Sequence, residues 1–245
     1  MLQSQRDSSK WLKRSSYSVP ALAISACIAL LLVLAPAASI ARQAPASPTE
    51  KAQQQQRATS PPYKGDLSIF EYEGRDSKLQ VGRVMDILRI APGKTVADIG
   101  AGSGWFSVRA AGRVTGTGLV YAVDINPDAI SYIQKRVQHD GIGNVKPILS
   151  EPDDPRLPPK SINAALLLKT YHEVAAPIAL LKNLRRSLRP GARVGIIDRN
   201  GKAENHGVNR DTVVREARQA GYTLIGEYDF VKPDGDDYFL VFVSQ

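Results

Sequence analysis

The run Val96-Ala-Asp-Ile-Gly-Ala-Gly-Ser-Gly104 constrains the fold of this chain more than any other segment. Residues with strand character lead into three glycines spaced two apart, and a helical pattern begins at Trp105. Glycine adopts positive φ easily and lets the backbone approach a ligand without a Cβ in the way. A strand, a glycine turn and a helix in this order are typical of a parallel α/β sheet that binds a ligand where its strands end.

The residues after this turn alternate short apolar runs with helical patterns, as in a parallel sheet with crossover helices. Five strands are predicted, at 95–99, 119–123, 145–149, 164–168 and 193–197. Two last runs, 223–228 and 238–243, flank a short polar segment, which predicts an antiparallel hairpin. We therefore predict the α/β class: a Rossmann-like, doubly wound sheet of about seven strands, mostly parallel, with a C-terminal antiparallel hairpin and helices on both faces.

The amino-terminal part has the pattern of an export signal. Residues 15–41 carry no charge, 21–40 are almost wholly apolar, and the residues before them are net positive. This predicts a cleaved signal peptide or an uncleaved N-terminal membrane anchor over 1–41. Residues 42–64 are rich in proline and glutamine and predict a disordered linker, which leaves 65–245 as the globular domain.

Composition excludes several classes of function. Cys27 is the only cysteine, which excludes a disulfide scaffold and a cysteine-based metal site, and with three histidines we expect no metal. The formal net charge of +8 is partly local to the amino terminus, so it is a weak basis for nucleic-acid binding, which we do not predict.

An acid stands where a nucleoside ligand would need one. Asp124 follows the second predicted strand, and at that strand end it would face the glycine turn and could accept both hydroxyls of a ribose. A dinucleotide fingerprint requires a third glycine at position 105, which is Trp105. The sequence thus indicates a nucleoside ligand and argues against a dinucleotide.

The G-x-G-x-G pattern after V-A-D-I, with V-D-I-N-P around Asp124, resembles motif I and the ribose-binding acid of class I S-adenosylmethionine-dependent methyltransferases. The resemblance covers about residue 70 to the end, and the closing antiparallel strands are typical of that family. It implies an enzyme that moves a methyl group from S-adenosyl-L-methionine to a small-molecule or lipid-like acceptor.

The resemblance also implies which residues bind the cofactor. Asp98 would hold its amino-acid end, the glycines would line its methionine and ribose portions, Asp124 would take the ribose hydroxyls, and Ile125 would lie against adenine. The acid that reaches the adenine amino group is left open between two residues after the third strand. The candidate cofactor-binding residues are therefore Asp98, Gly100, Gly102, Gly104, Asp124, Ile125, and Glu151 or Asp153.

The end of the fourth predicted strand suggests where the acceptor binds. The resemblance makes Tyr171 and His172 substrate-facing, with His172 as an orienting group or a proton acceptor. In the alternative interpretation, His172 and Glu173 only begin the next helix at the surface. Residue patterns alone do not decide between the two.

Export and methyl transfer conflict, because S-adenosylmethionine is made in the cytoplasm. The second hypothesis is therefore an exported, non-catalytic binding protein that retains the methyltransferase fold. The sequence predicts a membrane contact through 1–41 if that segment is uncleaved, and it does not predict an oligomeric state.

We expect the domain to be exported, to the periplasm or tethered outside the inner membrane, because positive charge before an apolar segment keeps that end in the cytoplasm. Alkaline phosphatase fused after Gln245 should be active, since this reporter works only after export. An inactive phosphatase fusion beside a fluorescent green fluorescent protein fusion at the same site would place the domain in the cytoplasm.

Overall fold

A computed structural model describes residues 56–59, 63–232 and 235–245. The predicted signal or anchor segment, 1–41, lies outside the described residues, as does most of the predicted linker. Within the ranges described, no helix has the length and apolar character to cross a bilayer.

The described part of the chain contains seven strands and six α-helices. The strands are β1 (Thr95–Ile99), β2 (Leu119–Asp124), β3 (Val145–Leu149), β4 (Ile162–Leu168), β5 (Leu188–Arg199), β6 (Tyr222–Tyr228) and β7 (Asp237–Ser244). The helices are α1 (Arg75–Leu79), α2 (Val81–Ile87), α3 (Trp105–Val114), α4 (Pro127–His139), α5 (Pro177–Ser187) and α6 (Arg210–Gln219). Three short 3-10 helices lie at Leu67–Glu71, Tyr171–Glu173 and Ala203–Asn205.

The strands form one sheet in the order β3-β2-β1-β4-β5-β7-β6. The pairs among β1 to β5 are parallel, whereas β7 is antiparallel to both β5 and β6. The predicted mostly parallel sheet with a C-terminal antiparallel hairpin is confirmed. The strands that follow β1 in sequence lie first on one side of it, as β2 and β3, and then on the other, as β4 and β5. The point between β1 and β4 is therefore a topological switch point, and in open α/β sheets ligands bind at such a point.

Side chains alternate between the two faces of the sheet and form two cores. On one face, Val96 of β1 packs with residues of α2, α3 and α4, among them Met85, Phe106 and Ile133. On the other face, Ala97 packs with residues of α5 and α6. The predicted helices on both faces are therefore present.

Two elements extend further than the residue patterns predict. Helix α3 continues to Val114 because Ala110 and Val114 are fully buried against the sheet. Strand β5 begins at Leu188, which pairs with Ile162 before a register shift. The Pro190-Gly191 pair interrupts the pairing there without ending the strand.

Substitution of Gly195 in β5 tests how tightly the core that contains Val96 is packed. A Cβ at Gly195 would lie 2.9 Å from Phe239 Cε2 and 3.0 Å from Leu166 Cδ1. We expect Gly195→Ala to lower the free energy of unfolding by about 1–3 kcal/mol through overpacking, measured by urea denaturation. The control Gly112→Ala, in α3 with no atom within 4 Å of its Cβ, should raise it by about 0.5–1 kcal/mol. Equal effects of the two changes would contradict this packing.

Candidate functional site

A cavity of about 370 Å³ opens at the carboxyl ends of the central strands. Its walls are the turn after β1, the loops after β2, β3 and β4, and a segment that precedes α2. The cavity therefore lies at the switch point of the sheet, where this topology places ligands. Of the predicted cofactor-binding residues, the walls include Asp98, Gly100, Gly102, Asp124, Ile125 and Glu151.

The three glycines of the turn have positive φ but different surroundings. A Cβ at Gly100 would lie 2.2 Å from Thr170 Oγ1, and one at Gly104 would lie 3.0 Å from Ile133 Cγ1. A Cβ at Gly102 would meet nothing nearer than Phe70, at 3.7 Å. Gly100 and Gly104 are therefore required for packing, and Gly102 has open space before it on the cavity wall.

Asp124 lies beside this turn and holds it. One carboxylate oxygen accepts the N–H of Gly102 at 2.8 Å, and the other accepts the N–H of Asn126 at 2.9 Å. Burial raises the pKa of Asp124, and these N–H donors oppose that rise. Each oxygen keeps a lone pair for a further donor, so Asp124 can bind ligand hydroxyls while it holds the loop.

Asp98 lies deeper, and its charge is only partly compensated. Its Oδ2 accepts the hydroxyl of Ser107 at 2.7 Å. Burial raises its pKa to about 6, while Ser107 and the nearby Arg75 guanidinium act in the opposite direction. A cationic ligand group beside Asp98 would stabilise its charged form.

Ser103 provides an independent sign of a ligand. Its Oγ is buried on the cavity wall and has no hydrogen-bond partner within the described part of the chain. Buried hydroxyls are normally paired. A polar ligand group in the cavity would satisfy this atom.

The segment before α2 covers the cavity. Tyr63, Leu67, Phe70 and Arg75 line it, and the Arg75 guanidinium stacks 4.2 Å from the centre of the Trp105 ring. The contacts of this cover are with residues distant in sequence, such as Trp105.

The chain before residue 65 also contacts the domain. The N–H of Arg57 donates to the carbonyl of Ala175 at 3.0 Å, and its guanidinium donates to Glu216 at 3.0 Å. Thr59 lines the cavity. These contacts anchor the chain to the loop after β4.

The loop after β3 separates the two candidates for the adenine-binding acid. Glu151 lines the cavity, and its carboxylate pairs with Arg156. Asp153 is not among the residues on the cavity wall, and its carbonyl accepts the side-chain amide of Asn183 at 2.7 Å. Its place on the cavity wall favours Glu151 over Asp153 as the acid that reaches the adenine amino group. That role stays a prediction.

The residues after β4 are placed differently from either interpretation of the sequence. Tyr171 is fully buried, and its hydroxyl donates to Glu216 at 2.9 Å. His172 is also buried, with Nδ1 2.8 Å from Asp198 Oδ1. Neither is among the residues on the cavity wall, whereas Glu173 is.

The surface-helix alternative for His172 and Glu173 is wrong, because the 3-10 helix Tyr171–Glu173 buries both Tyr171 and His172 and α5 begins only at Pro177. Sequence reasoning missed Glu173 as a wall residue. It also missed Asp198, whose only signal is an acid at the end of an apolar strand.

S-adenosylmethionine fits these groups. The open space at Gly102, the spare lone pairs of Asp124, the unpaired Ser103 hydroxyl and the exposed apolar surface of Ile125, 43% accessible, suit a ligand with a ribose and a base. The buried Asp98 suits a ligand that carries an ammonium group. Among the described residues, no group of acids, histidines or cysteines is placed to hold a metal ion.

A buried acid with a raised pKa makes stability depend on pH. Between about pH 4 and about pH 6 the folded protein keeps a proton on Asp98 that the unfolded chain has lost, so this contribution falls as pH rises. We expect Asp98→Asn, without ligand, to gain on the order of 2–3 kcal/mol of unfolding free energy over the wild type at about pH 8 and little at about pH 4. Chemical denaturation across this range measures it. The exposed Asp128→Asn control should show no such trend, and a constant difference for Asp98→Asn would contradict the raised pKa.

Comparison with known proteins finds similarity to methyltransferases. Residues 96–191 match the family model described as "Methyltransferase domain". The chain is 31% identical over 136 residues to an arsenite methyltransferase of Halobacterium salinarum, covering 56% of this chain and 35% of that protein. It is 32% identical over 119 residues to a protein-L-isoaspartate O-methyltransferase of Aeropyrum pernix, covering 47% and 43%. The chain thus spans less than half of the length of these two curated relatives.

Solved structures share the fold. A SAM-dependent methyltransferase from Aquifex aeolicus superposes with a TM-score of 0.66 at 23% identity, covering 73% of this chain and 98% of that one. A geranyl diphosphate methyltransferase, solved with GPP and sinefungin, gives a TM-score of 0.56 at 16% identity and covers 66% and 75%. The chain thus matches a methyltransferase domain over residues 96–191, which include the glycine turn and Asp124, and it shares the fold of S-adenosylmethionine-dependent methyltransferases.

Proposed function

We propose that this protein transfers the methyl group of S-adenosylmethionine to a small-molecule acceptor. The observation that carries the proposal is the Asp124–Gly102 pair, in which the acid at the end of β2 holds the open side of the glycine turn at the cavity. The cofactor supplies an electrophilic methyl group on a sulfonium. Methyl transfer is an in-line displacement, so the protein's contribution is mainly to align the two partners.

Each wall group has a part in that alignment. Asp124 would hold the ribose hydroxyls, and Ile125 would pack against the base with Glu151 near its amino group. Asp98 would pair with the ammonium of the amino-acid end, and Ser103 Oγ would gain its missing partner. The covering segment, through Phe70 and Leu67, would exclude water from the reacting groups.

The acceptors named for the relatives do not suit this cavity. Arsenic(III) binds thiolates, and the only cysteine, Cys27, lies in the predicted signal or anchor segment. An isoaspartyl carboxylate would meet the acids Asp98, Asp124 and Glu173 on the cavity wall, and like charges repel. A neutral or cationic small molecule suits these walls better.

The non-catalytic alternative has no specific observation in its favour. The reason for considering this alternative is the predicted export of the domain, and that prediction depends on residues 1–41 alone. Export of the domain remains our proposal for its location, and the supply of methyl donor outside the cytoplasm would then need a separate source.

Calorimetric titration of the full-length protein with S-adenosylhomocysteine tests the proposal. We expect Asp124→Asn to weaken binding by about ten- to a hundredfold, because the neutral amide is a poorer acceptor for ribose hydroxyls. Asp128→Asn, an exposed acid in the first turn of α4, is the matched control and should bind as the wild type does. Absence of binding to the folded wild type, or equal affinity of the two variants, would contradict the site.

A second variant tests the turn itself. Gly102→Val should abolish S-adenosylhomocysteine binding, because the branched side chain would enter the cavity in front of the turn. The positive φ of 55° at this position adds strain. The variant should nevertheless melt as a folded protein. Complete unfolding without ligand would show that this glycine serves the fold instead of the ligand.

A further inference from the structure

Glu173 occupies a position on the cavity wall that the binding of S-adenosylmethionine does not explain. It ends the 3-10 helix after β4, and its side chain is 23% accessible. The backbone N–H of Tyr63, in the covering segment, donates to its carboxyl group. Glu173 thus lies where the cover meets the loop after β4.

Two buried residues stand behind Glu173. Asp198 Oδ2 accepts the backbone N–H of His172 at 3.0 Å, and Asp198 Oδ1 lies 2.8 Å from His172 Nδ1. The other ring nitrogen, Nε2, lies 3.8 Å from Glu173 Oε1. The imidazole therefore stands between two carboxyl groups, held by Asp198 and directed at Glu173, and only Glu173 is on the cavity wall.

The charges around Glu173 favour its neutral form. Burial is the largest cause, the carboxyl groups of Asp124 and Asp198 add to it, and His172 and the Tyr63 N–H oppose it. Together they raise the pKa of Glu173 to about 7. Lys169, a cation on the cavity wall, is paired with Asp237. A carboxyl group that titrates near neutrality is suited to accept a proton from a ligand.

We propose that Glu173 is the general base of the methyl transfer, positioned by His172 and Asp198, and that the acceptor is an apolar molecule with a weakly acidic hydroxyl, a phenol or an enol. This inference rests on the proposed function and adds its acceptor class.

The acceptor class follows from what a base near neutral pH can do. An amine must be neutral to attack a methyl group, and the acids of this cavity would stabilise its ammonium form instead. A thiol ionises readily without a neighbouring base, with a pKa of about 8.5. A phenol, with a pKa of about 10, gains most from a carboxylate that removes its proton during attack.

The apolar part of the cavity wall is suited to a flat apolar molecule. Leu67, Phe70, Val174 and Leu180 line the cavity together with two prolines of the loop after β3. Apolar walls with one polar group that fixes orientation are typical of small-molecule sites. A planar ring with a single hydroxyl has that distribution of polarity.

The proposed step balances without a further reactant. The oxygen lone pair of the acceptor forms the new O–CH₃ bond as the C–S⁺ bond breaks, and the bonding pair stays on sulfur to give the neutral thioether. The acceptor proton passes to the Glu173 carboxylate, which becomes a carboxylic acid and later releases the proton to water.

Two phenols of similar size separate base catalysis from positioning. At about pH 8.5, 2-naphthol is mostly neutral and 4-nitrophenol is ionised. We expect Glu173→Gln to lower kcat/KM of the full-length protein for 2-naphthol by about 10²- to 10⁴-fold. For 4-nitrophenol, kcat/KM of this variant should stay within about threefold of the wild-type value. The control Glu204→Gln, an exposed acid that is not on the cavity wall, should change neither. Equal loss with both phenols, no loss with either, or no methylation of either phenol by the wild type would overturn the proposal.

Two measurements complete the test. In protein labelled with [5-¹³C]glutamate, one carboxyl should titrate near pH 7, disappear in Glu173→Gln and persist in Glu204→Gln. His172→Gln should move the acid limb of the 2-naphthol pH profile upward, because the imidazole that favours the charged glutamate is lost. A resonance that titrates in the ordinary glutamate range, or an unmoved limb, would overturn the assignment. Unchanged S-adenosylhomocysteine affinity in Glu173→Gln would leave the proposed function standing if this inference fails.

Discussion

The carbonyl oxygen of Val123 accepts the N–H groups of both Gly100 and Ala101, and the next residue, Asp124, accepts the N–H of Gly102. The end of β2 therefore holds the whole turn after β1. In this arrangement the three glycines of the turn adopt positive φ, which glycine does at little cost. The position of α3 and the shape of the cavity depend on this joint between two neighbouring strands.

The electrostatics of the cavity follow from its burial. Asp98, Asp124 and Glu173 all have raised pKa values because they are withdrawn from water. Such groups lower the stability of the ligand-free protein above their pKa values. A site that holds three acids this way gains from a ligand that brings positive charge and hydroxyl donors, which is what an S-adenosylmethionine ligand would provide. The same buried acids thus lower the stability of the ligand-free protein and would strengthen the binding of such a ligand.

The loop after β4 shows how one short turn distributes three neighbouring side chains. Tyr171 enters the second core and bonds Glu216, His172 turns toward Asp198, and Glu173 reaches the cavity. In a 3-10 helix, successive residues point about a third of a turn apart. A shift of one residue in this turn would exchange the side chain that lines the cavity, so the buried side chains of Tyr171 and His172 determine that Glu173 does so.

Local patterns were sufficient for the class of fold. The glycine turn, the acid after β2 and the alternation of apolar runs depend on residues close in sequence, so strands β1 to β7 and the antiparallel hairpin could be predicted. The boundaries of β5 could not, because its start depends on pairing with Ile162. The contacts of the covering segment with Trp105 and the cavity are also made across the fold, so their geometry depends on the tertiary structure.

The sequence by itself predicted the sheet, the glycine turn and the positions of Asp98 and Asp124 at the ends of β1 and β2, because each depends on residues within one strand and its turn. Only the tertiary structure decided that Glu151 and not Asp153 lines the cavity, and that Glu173 rather than His172 does so. The physical reason is that these choices depend on partners such as Asn183, Asp198 and Glu216, which lie 26 or more residues away and approach only when the strands pair and the helices pack.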